Sequence, residues 1–205
     1  MYDKYILPYV LNCTCGQKPF IRQRQKLVPI AKGKVLEVGI GSGLNMPYFD
    51  TSKISSVVGI DPSEELIQLA EKRIDDSMPD IDFVISKAEE MQFNDNLFDT
   101  VLITYTICTV GDVSASLKQI KRVLKSDGQL LFCEHGLAPD EKVVKWQNRI
   151  NKFWPTISGG CNINKNIPLL IEQAGFAITN MEQMYLPKTP KILGYNYWGT
   201  ALKAD

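Results

Sequence analysis

The stretch "VLEVGIGSGLNMPYFD" (35–50) decides the fold. Its apolar start belongs to "KVLEVGI" (34–40), a run with β-branched residues that predicts a buried strand. Glycines follow at alternate positions, Gly39, Gly41 and Gly43. A glycine directly after a strand lets the backbone turn sharply and approach a ligand without a Cβ in the way. The stretch therefore predicts a turn, which serves either a bound ligand or chain reversal alone.

A carboxylate, Asp61, closes the next predicted strand, "SSVVGID" (55–61). Ligands of open parallel sheets bind beyond the carboxyl ends of the strands, and an acid there accepts hydrogen bonds from both ribose hydroxyls of a nucleoside. Together, the glycine turn and Asp61 predict a cofactor that contains a nucleoside.

Glu37 separates two classes of such cofactor. The dinucleotide fingerprint G-x-G-x-x-G places a pyrophosphate at a helix N-terminus. Here the spacing is G-x-G-x-G, and an acid two residues before the first glycine would repel a pyrophosphate. The same acid suits a cationic ligand that carries an ammonium and a sulfonium group. A nicotinamide-dependent oxidoreductase is therefore disfavoured.

Outward from this stretch, strands and helices alternate. Further strands are predicted at 81–86, 98–106, 129–135, 177–184 and 192–203. Helices are predicted at 62–76, 112–125, 140–154 and 167–176, and "SDG" (126–128) ends the second of them. Strands separated by helices form right-handed βαβ units around a parallel sheet. The fold class is therefore α/β, a doubly wound, mostly parallel seven-stranded sheet with helices on both faces.

The length predicts a single domain, 1–205. Two segments of this domain break the alternation of strands and helices. Residues 1–32 are predicted to form an N-terminal helical cap, and 139–166 an inserted lid with the loop "PTISGGCNINKN". Segments outside a regular repeat often carry binding functions. We expect substrate contacts in both.

The charge balance disfavours nucleic acid as the main partner. Lysine plus arginine number 23, as do aspartate plus glutamate, so the formal net charge is zero, whereas phosphate binding needs a basic surplus. A local basic stretch favours a solvated helix face, with an anionic substrate or a membrane surface as alternatives. Its members are Arg22, Arg24, Lys26, Lys32 and Lys34.

Cysteine usage and hydropathy predict a cytoplasmic location. The five cysteines are odd in number, which suits a reducing compartment. No apolar run reaches the roughly 18 residues of a spanning helix, and the N-terminus is a poor signal peptide, although peripheral membrane contact stays open. Cys13 and Cys15 form a lone C-x-C in a chain with one histidine, so no metal is expected.

The motif E-x-G-x-G-x-G after a strand, with an acid closing the next strand, resembles the class I S-adenosylmethionine-dependent methyltransferases and their type 11 methyltransferase domain. The resemblance covers about residues 35–205 and includes 98–135, which is similar to that family's fourth strand, helix and fifth strand. "ICTV", "CEH" and "GGCNIN" resemble the branch that includes the alkyl-thiol methyltransferases. It implies a Rossmann-like fold, S-adenosyl-L-methionine as cofactor and S-adenosyl-L-homocysteine as product.

The resemblance also implies roles for individual residues. The glycine turn approaches the amino-acid part of the cofactor, Glu37 orients that turn or reaches the ammonium through water, and Asp61 holds the ribose. Lys87 stands where many relatives have an aspartate, so Glu89 or the backbone meets the adenine amino group. The implied cofactor contacts are Glu37, Gly39, Gly41, Gly43, Asn45, Asp61, Pro62, Ser63, Ala88, Glu89, Thr104 and Tyr105.

Methyl transfer from a sulfonium is an in-line displacement that needs alignment and exclusion of water. A thiol acceptor, with a pKa near 8.5, needs only modest help to ionise. His135, the only histidine, and Tyr105 follow predicted strands at the functional edge of the sheet and are the predicted catalytic residues. A structural hydrogen bond and core packing are their respective alternatives.

The acceptor is predicted to be a small molecule, with a thiol as the leading class. A quinone precursor, a phospholipid or amine, and a non-catalytic cofactor-binding module remain alternatives. Cys108 and Cys161 are expected to be small buried hydrophobes, although the loop of Cys161 also suits the pocket. Core packing is favoured over a lid for Trp146, Phe153 and Trp154. The oligomeric state is not predicted.

Overall fold

The computed structural model describes residues 6–204, which are organised around a seven-stranded sheet. Its strands are β1 Gly33–Val38, β2 Ile54–Asp61, β3 Ile81–Ile85, β4 Phe98–Thr104, β5 Leu124–His135, β6 Phe176–Tyr185 and β7 Tyr195–Lys203. The strand order is β3-β2-β1-β4-β5-β7-β6. Strand β7 pairs antiparallel with both β5 and β6, and the other pairs are parallel. The prediction of a mostly parallel seven-stranded sheet is confirmed.

Eight α-helices accompany the sheet within the described residues. They are α1 Leu7–Cys15, α2 Lys18–Leu27, α3 Glu64–Glu71, α4 Val113–Val123, α5 Glu141–Ile150, α6 Trp154–Ile157, α7 Ile167–Gln173 and α8 Lys191–Gly194. None of the helices in this part of the chain is long and apolar enough to cross a membrane. Residues 1–5 of the predicted cap lie outside the described residues.

Helices cover both faces of the sheet because strand side chains alternate between them. Leu36 of β1 belongs to one buried cluster with Ile120 of α4 and Ile171 of α7. Val35, its neighbour in sequence, belongs to a second cluster with Leu27 of α2. Both core clusters therefore hold β1 in the middle of the sheet.

Several predicted boundaries are wrong. Helix α3 ends at Glu71 rather than at 76, because Ile74 is 48% exposed and offers no core contact that would extend the helix. Strand β4 ends at Thr104 rather than at 106, since Tyr105 adopts a left-handed φ of 56°. Helix α4 ends at Val123.

The stretch "SDG" (126–128) is a bulge inside β5 rather than a turn between helix and strand. Leu124 pairs with Phe98 and Gln129 pairs with Thr100, so β5 has more residues than β4 between these two pairs. The extra residues leave the ladder, as in an irregular β-bulge.

The predicted helix at 140–154 is interrupted. Helix α5 ends at Ile150, and a short α6 starts at Trp154. Trp146 is 54% and Phe153 is 72% exposed, so the expectation that they belong to the core is wrong. Trp154 is half-buried.

Candidate active site

A cavity of about 390 Å³ lies at the carboxyl ends of β1, β2 and β4, within the range of roughly 300–1,000 Å³ found for small-molecule sites. Strand β1 lies between β2 and β4, so consecutive connections leave it on opposite sides. This is the topological switch point at which open α/β sheets bind ligands.

Most of the predicted cofactor residues line this cavity. Those that do are Gly39, Gly41, Asp61, Pro62, Ser63, Ala88, Glu89, Thr104 and Tyr105. Four other predicted site residues within 6–204 do not line it, namely Glu37, Gly43, Asn45 and His135. Helix α1 contributes to the wall through Leu7, Leu11 and Cys15, whereas Gly159 is the contribution of the described segment 139–166.

The glycines of the turn have different surroundings. A Cβ on Gly41 would meet nothing nearer than the Gly39 carbonyl oxygen at 3.9 Å, whereas a Cβ on Gly43 would lie 2.4 Å from Met46 Sδ and 3.1 Å from Ala70 Cβ in α3. Both have positive φ, 55° and 77° respectively. Gly43 is therefore required for packing, and Gly41 leaves open space for a ligand.

Asp61 joins the glycine turn to the start of α3. Its Oδ2 accepts a hydrogen bond from the Gly41 N–H at 3.0 Å, and its Oδ1 accepts one from the Ser63 N–H at 2.9 Å. The side chain is nearly buried, so desolvation raises the pKa of the carboxyl, partly offset by these backbone bonds. Each oxygen keeps a further acceptor site directed away from the backbone.

Arg24 of α2 reaches the cavity wall. The residue is only 4% exposed, and its Nη1 donates to Asn45 Oδ1 and to Thr104 Oγ1, both at 2.7 Å. Its Nε has no hydrogen-bond partner among the described residues. The expectation of a solvated helix face is therefore wrong for Arg24. Its buried guanidinium has donor capacity for an anion.

Glu37 lies behind Arg24, and Asn45 connects them. Asn45 Nδ2 donates to Glu37 Oε1 at 2.7 Å, and Glu37 Oε2 has no partner within the described residues. Desolvation raises the pKa of Glu37 to about 8, against the lowering effects of Asn45 and Arg24. Burial in this network therefore favours the neutral form of the acid.

Comparison with known proteins finds similarity to methyltransferases. The family model described as a methyltransferase domain matches residues 36–132. Thiol S-methyltransferase TMT1A of Homo sapiens is 27% identical over 179 residues, covering 85% of this chain and 72% of that protein. The family model and this relative support a class I S-adenosylmethionine-dependent methyltransferase.

One further relative and one solved structure are similar to this methyltransferase to different extents. The mitochondrial methyltransferase OMS1 of Saccharomyces cerevisiae is 26% identical over 189 residues, covering 83% of this chain but only 40% of that protein. The putative methyltransferase solved in complex with the Haloferax volcanii Trm112 activator shares the fold, with a TM-score of 0.74 at 15% identity over 97% of this chain and 94% of that one.

Tyr105 presents its ring, not its hydroxyl, to the cavity of the methyltransferase. The hydroxyl donates to Asn196 Oδ1 at 2.7 Å and accepts from the Cys133 thiol at 3.4 Å. The ring packs edge-to-face on Phe20, with centroids 5.1 Å apart. Burial raises the pKa of Tyr105 well above its usual value, so the hydroxyl keeps its proton at neutral pH.

His135 lies beside Tyr105, with ring centroids 6.3 Å apart, and its Nε2 faces a sulfur atom. The Nε2–Cys161 Sγ distance is 3.1 Å, and Cys108 Sγ completes a cluster whose three atoms lie within 4.8 Å of one another. A hydrogen bond from Cys108 and the charge of His135 lower the pKa of Cys161 despite its burial. The cavity wall at Tyr105 thus adjoins an ionisable group of sulfur and imidazole.

Proposed function

We propose that the protein transfers the methyl group of S-adenosylmethionine to a small-molecule thiol. The observation that carries the proposal is one cavity that combines the open turn at Gly41, the acid Asp61 and the buried cation Arg24. These groups match the adenosyl and amino-acid parts of the cofactor, each of which carries polar groups that a buried site must satisfy.

The nucleoside half of the cofactor would be held by the loops after β2 and β3. Asp61 would accept hydrogen bonds from the ribose hydroxyls through the acceptor sites that Gly41 and Ser63 leave open. The adenine would then lie against residues of the same two loops. Its proposed contacts are Pro62, Ser63, Ala88 and Glu89.

The amino-acid half would be held by the linked network of Arg24, Asn45 and Glu37. The guanidinium would bind the carboxylate, since its Nε is buried without a protein partner in the described structure. Glu37 would ionise and stabilise the ammonium from behind Asn45. The turn at Gly39, Gly41 and Gly43 would bring the backbone close to this end of the cofactor.

Bound cofactor supplies an activated methyl group on a sulfonium. The task left to the chain is to align the acceptor and to keep water away. The Tyr105 ring, supported by Phe20 and by the hydrogen bonds of its hydroxyl, would form the wall beside the methyl group. Thr104 would lie next to it, and α1 would cover the opening through Leu7 and Leu11.

A thiol suits the acceptor side because it needs little help to ionise. The relative TMT1A is named as a thiol S-methyltransferase, which supports this class. We propose that the imidazole of His135 favours the thiolate form of the acceptor. The five free cysteines agree with the predicted reducing, cytoplasmic location.

The test is S-adenosylhomocysteine formation by purified protein with a panel of acceptors: small thiols, sulfide, a quinone precursor and a phospholipid. We expect product with thiols and not with the other classes. Product only with the quinone precursor or the phospholipid would overturn the thiol assignment. Confirmed cofactor binding with no product from any acceptor would instead favour a non-catalytic binding module.

A further inference from the structure

Three side chains of types that bind metals converge from separate segments beside Tyr105, which lines the cavity. Cys108 follows β4, His135 ends β5, and Cys161 follows α6. Their Sγ, Nε2 and Sγ atoms all lie within 4.8 Å of one another. Cys108 is buried and Cys161 is partly exposed, so the cluster is enclosed on one side and open on the other.

The spacing suits a tetrahedral zinc ion. Zn–S bonds of about 2.3 Å and Zn–N bonds of about 2.0–2.1 Å place neighbouring ligand atoms about 3.5–3.8 Å apart. The Nε2–Sγ distance to Cys161 is 3.1 Å, and the whole cluster spans no more than 4.8 Å. Small side-chain rotations therefore suffice to place all three atoms around one ion.

The surroundings of the cluster are also those of a metal site. The indole Nε1 of Trp154 is buried with no hydrogen-bond partner among the described residues and lies near Cys161. An N–H in that position suits a metal-bound thiolate.

We propose that Cys108, His135 and Cys161 bind one zinc ion. Two thiolates and an imidazole are the ligands that this ion prefers. The ion joins the loop after α6 to the ends of β4 and β5, and three protein ligands leave its fourth position to water or to the sulfur of an acceptor. Zinc binding does not depend on the proposed methyl transfer.

The sequence predicts no metal because Cys13 and Cys15 form a lone C-x-C in a chain with one histidine. The cluster combines that histidine with two other cysteines, which the fold brings together from separate segments. The competing explanation for the cluster is an ion pair between Cys161 and His135. In that case the purified protein would contain no zinc.

The test is zinc content by mass spectrometry on the full chain, together with the absorption spectrum after cobalt substitution. Wild type and the exposed-cysteine control Cys13→Ser should each hold about one zinc per chain, and the cobalt form should show a thiolate-to-cobalt charge-transfer band. Cys108→Ser and Cys161→Ser should each lose at least about tenfold in zinc affinity, since even indirect changes cost that much.

Two results would overturn the proposal. The first is wild-type protein that takes up no zinc and shows no charge-transfer band in the presence of cobalt, an outcome that does not depend on any variant folding. The second is zinc retained with wild-type affinity by folded Cys108→Ser and Cys161→Ser. Because the readout is metal content, either result is independent of turnover with any acceptor.

Discussion

Replacing Arg24 by methionine tests the assignment of the amino-acid end of the cofactor site. Methionine keeps an apolar stem beside the Tyr105 ring, whose centroid lies 5.2 Å from Arg24 Cζ, and it removes the guanidinium. In the wild type that group donates to Asn45 and Thr104 and leaves Nε without a partner in the described residues. A carboxylate that enters the cavity therefore gains a charge-assisted hydrogen bond.

The magnitude follows from the value of such a bond. A hydrogen bond to a charged group contributes about 1.5–3 kcal/mol, and about 1.4 kcal/mol is a tenfold change in affinity. The Kd for S-adenosylmethionine should therefore rise about 10- to 150-fold in Arg24→Met. Titration calorimetry measures it directly, with 5′-methylthioadenosine as the comparison ligand because it has the nucleoside and the sulfur but no carboxylate.

The matched control is Arg22→Met, an exposed arginine on the same helix. Arg22→Met should change the affinity for neither S-adenosylmethionine nor methylthioadenosine. Arg24→Met should weaken S-adenosylmethionine and leave methylthioadenosine nearly unchanged. An equal loss for both ligands would mean that the variant disturbs the whole cavity, and no loss for either would refute the carboxylate assignment.

Four further variants test the rest of the cofactor site. S-adenosylmethionine affinity should rise with pH up to about 8, by at most about tenfold per unit, because neutral Glu37 (pKa about 8) must lose its proton beside the cationic cofactor. Above about pH 8 the affinity should fall, because the cofactor's own ammonium loses its proton there. Calorimetry on Glu37→Gln should show the rise removed. Gly41→Ala should weaken cofactor binding, since its Cβ enters open space, and should lower the Tm only by the strain of a left-handed alanine, about 1–2 kcal/mol. Gly43→Ala has the same strain and adds overpacking of about 1–3 kcal/mol against Met46, so it should lower the Tm more. Asp61→Asn should weaken S-adenosylmethionine and methylthioadenosine alike, by about tenfold or more, because both contain the ribose.

Each of these has a result that would contradict it. Glu37→Gln with the wild-type rise of affinity below pH 8 would exclude Glu37 as the source of that rise, and the cofactor's ammonium cannot replace it because its deprotonation near pH 8 lowers the affinity. Gly41→Ala with unchanged affinity would mean that no ligand approaches the turn. Asp61→Asn that weakens only S-adenosylmethionine would move Asp61 from the ribose to the amino-acid end.

The local sequence pattern was sufficient to predict the central strands of the fold and the residues proposed to bind the nucleoside half of the cofactor. The strand before Gly39 and the strand that ends at Asp61 are short apolar runs with clear limits, and parallel pairing brings their carboxyl ends to one edge. Asp61 and the turn at Gly41 were therefore predictable as neighbours, and they share a hydrogen bond.

The burial of Arg24 does not follow from its charge, but it does follow from its position in the helix. It lies four residues after Phe20 and three before Leu27, a spacing that places it on the apolar face of α2. Leu27 is buried in the core, and Phe20 packs on Tyr105. Helical periodicity was the signal that would have placed Arg24 inside.

The cluster of Cys108, His135 and Cys161 was not predictable from local pattern. The three residues belong to segments whose proximity depends on the order of β4 and β5 and on the course of the chain after α6. The sequence supplied each residue as a separate candidate. Their convergence is a property of the tertiary fold.

The central claim is tested most directly with S-adenosylmethionine that carries a trideuterated methyl group, a small thiol and the purified protein. Mass spectrometry should detect the trideuteromethyl thioether and S-adenosylhomocysteine in equal amounts, and Arg24→Met should reduce both at limiting cofactor. Cofactor bound in the cavity with neither product formed from any thiol would contradict methyl transfer to this class of acceptor.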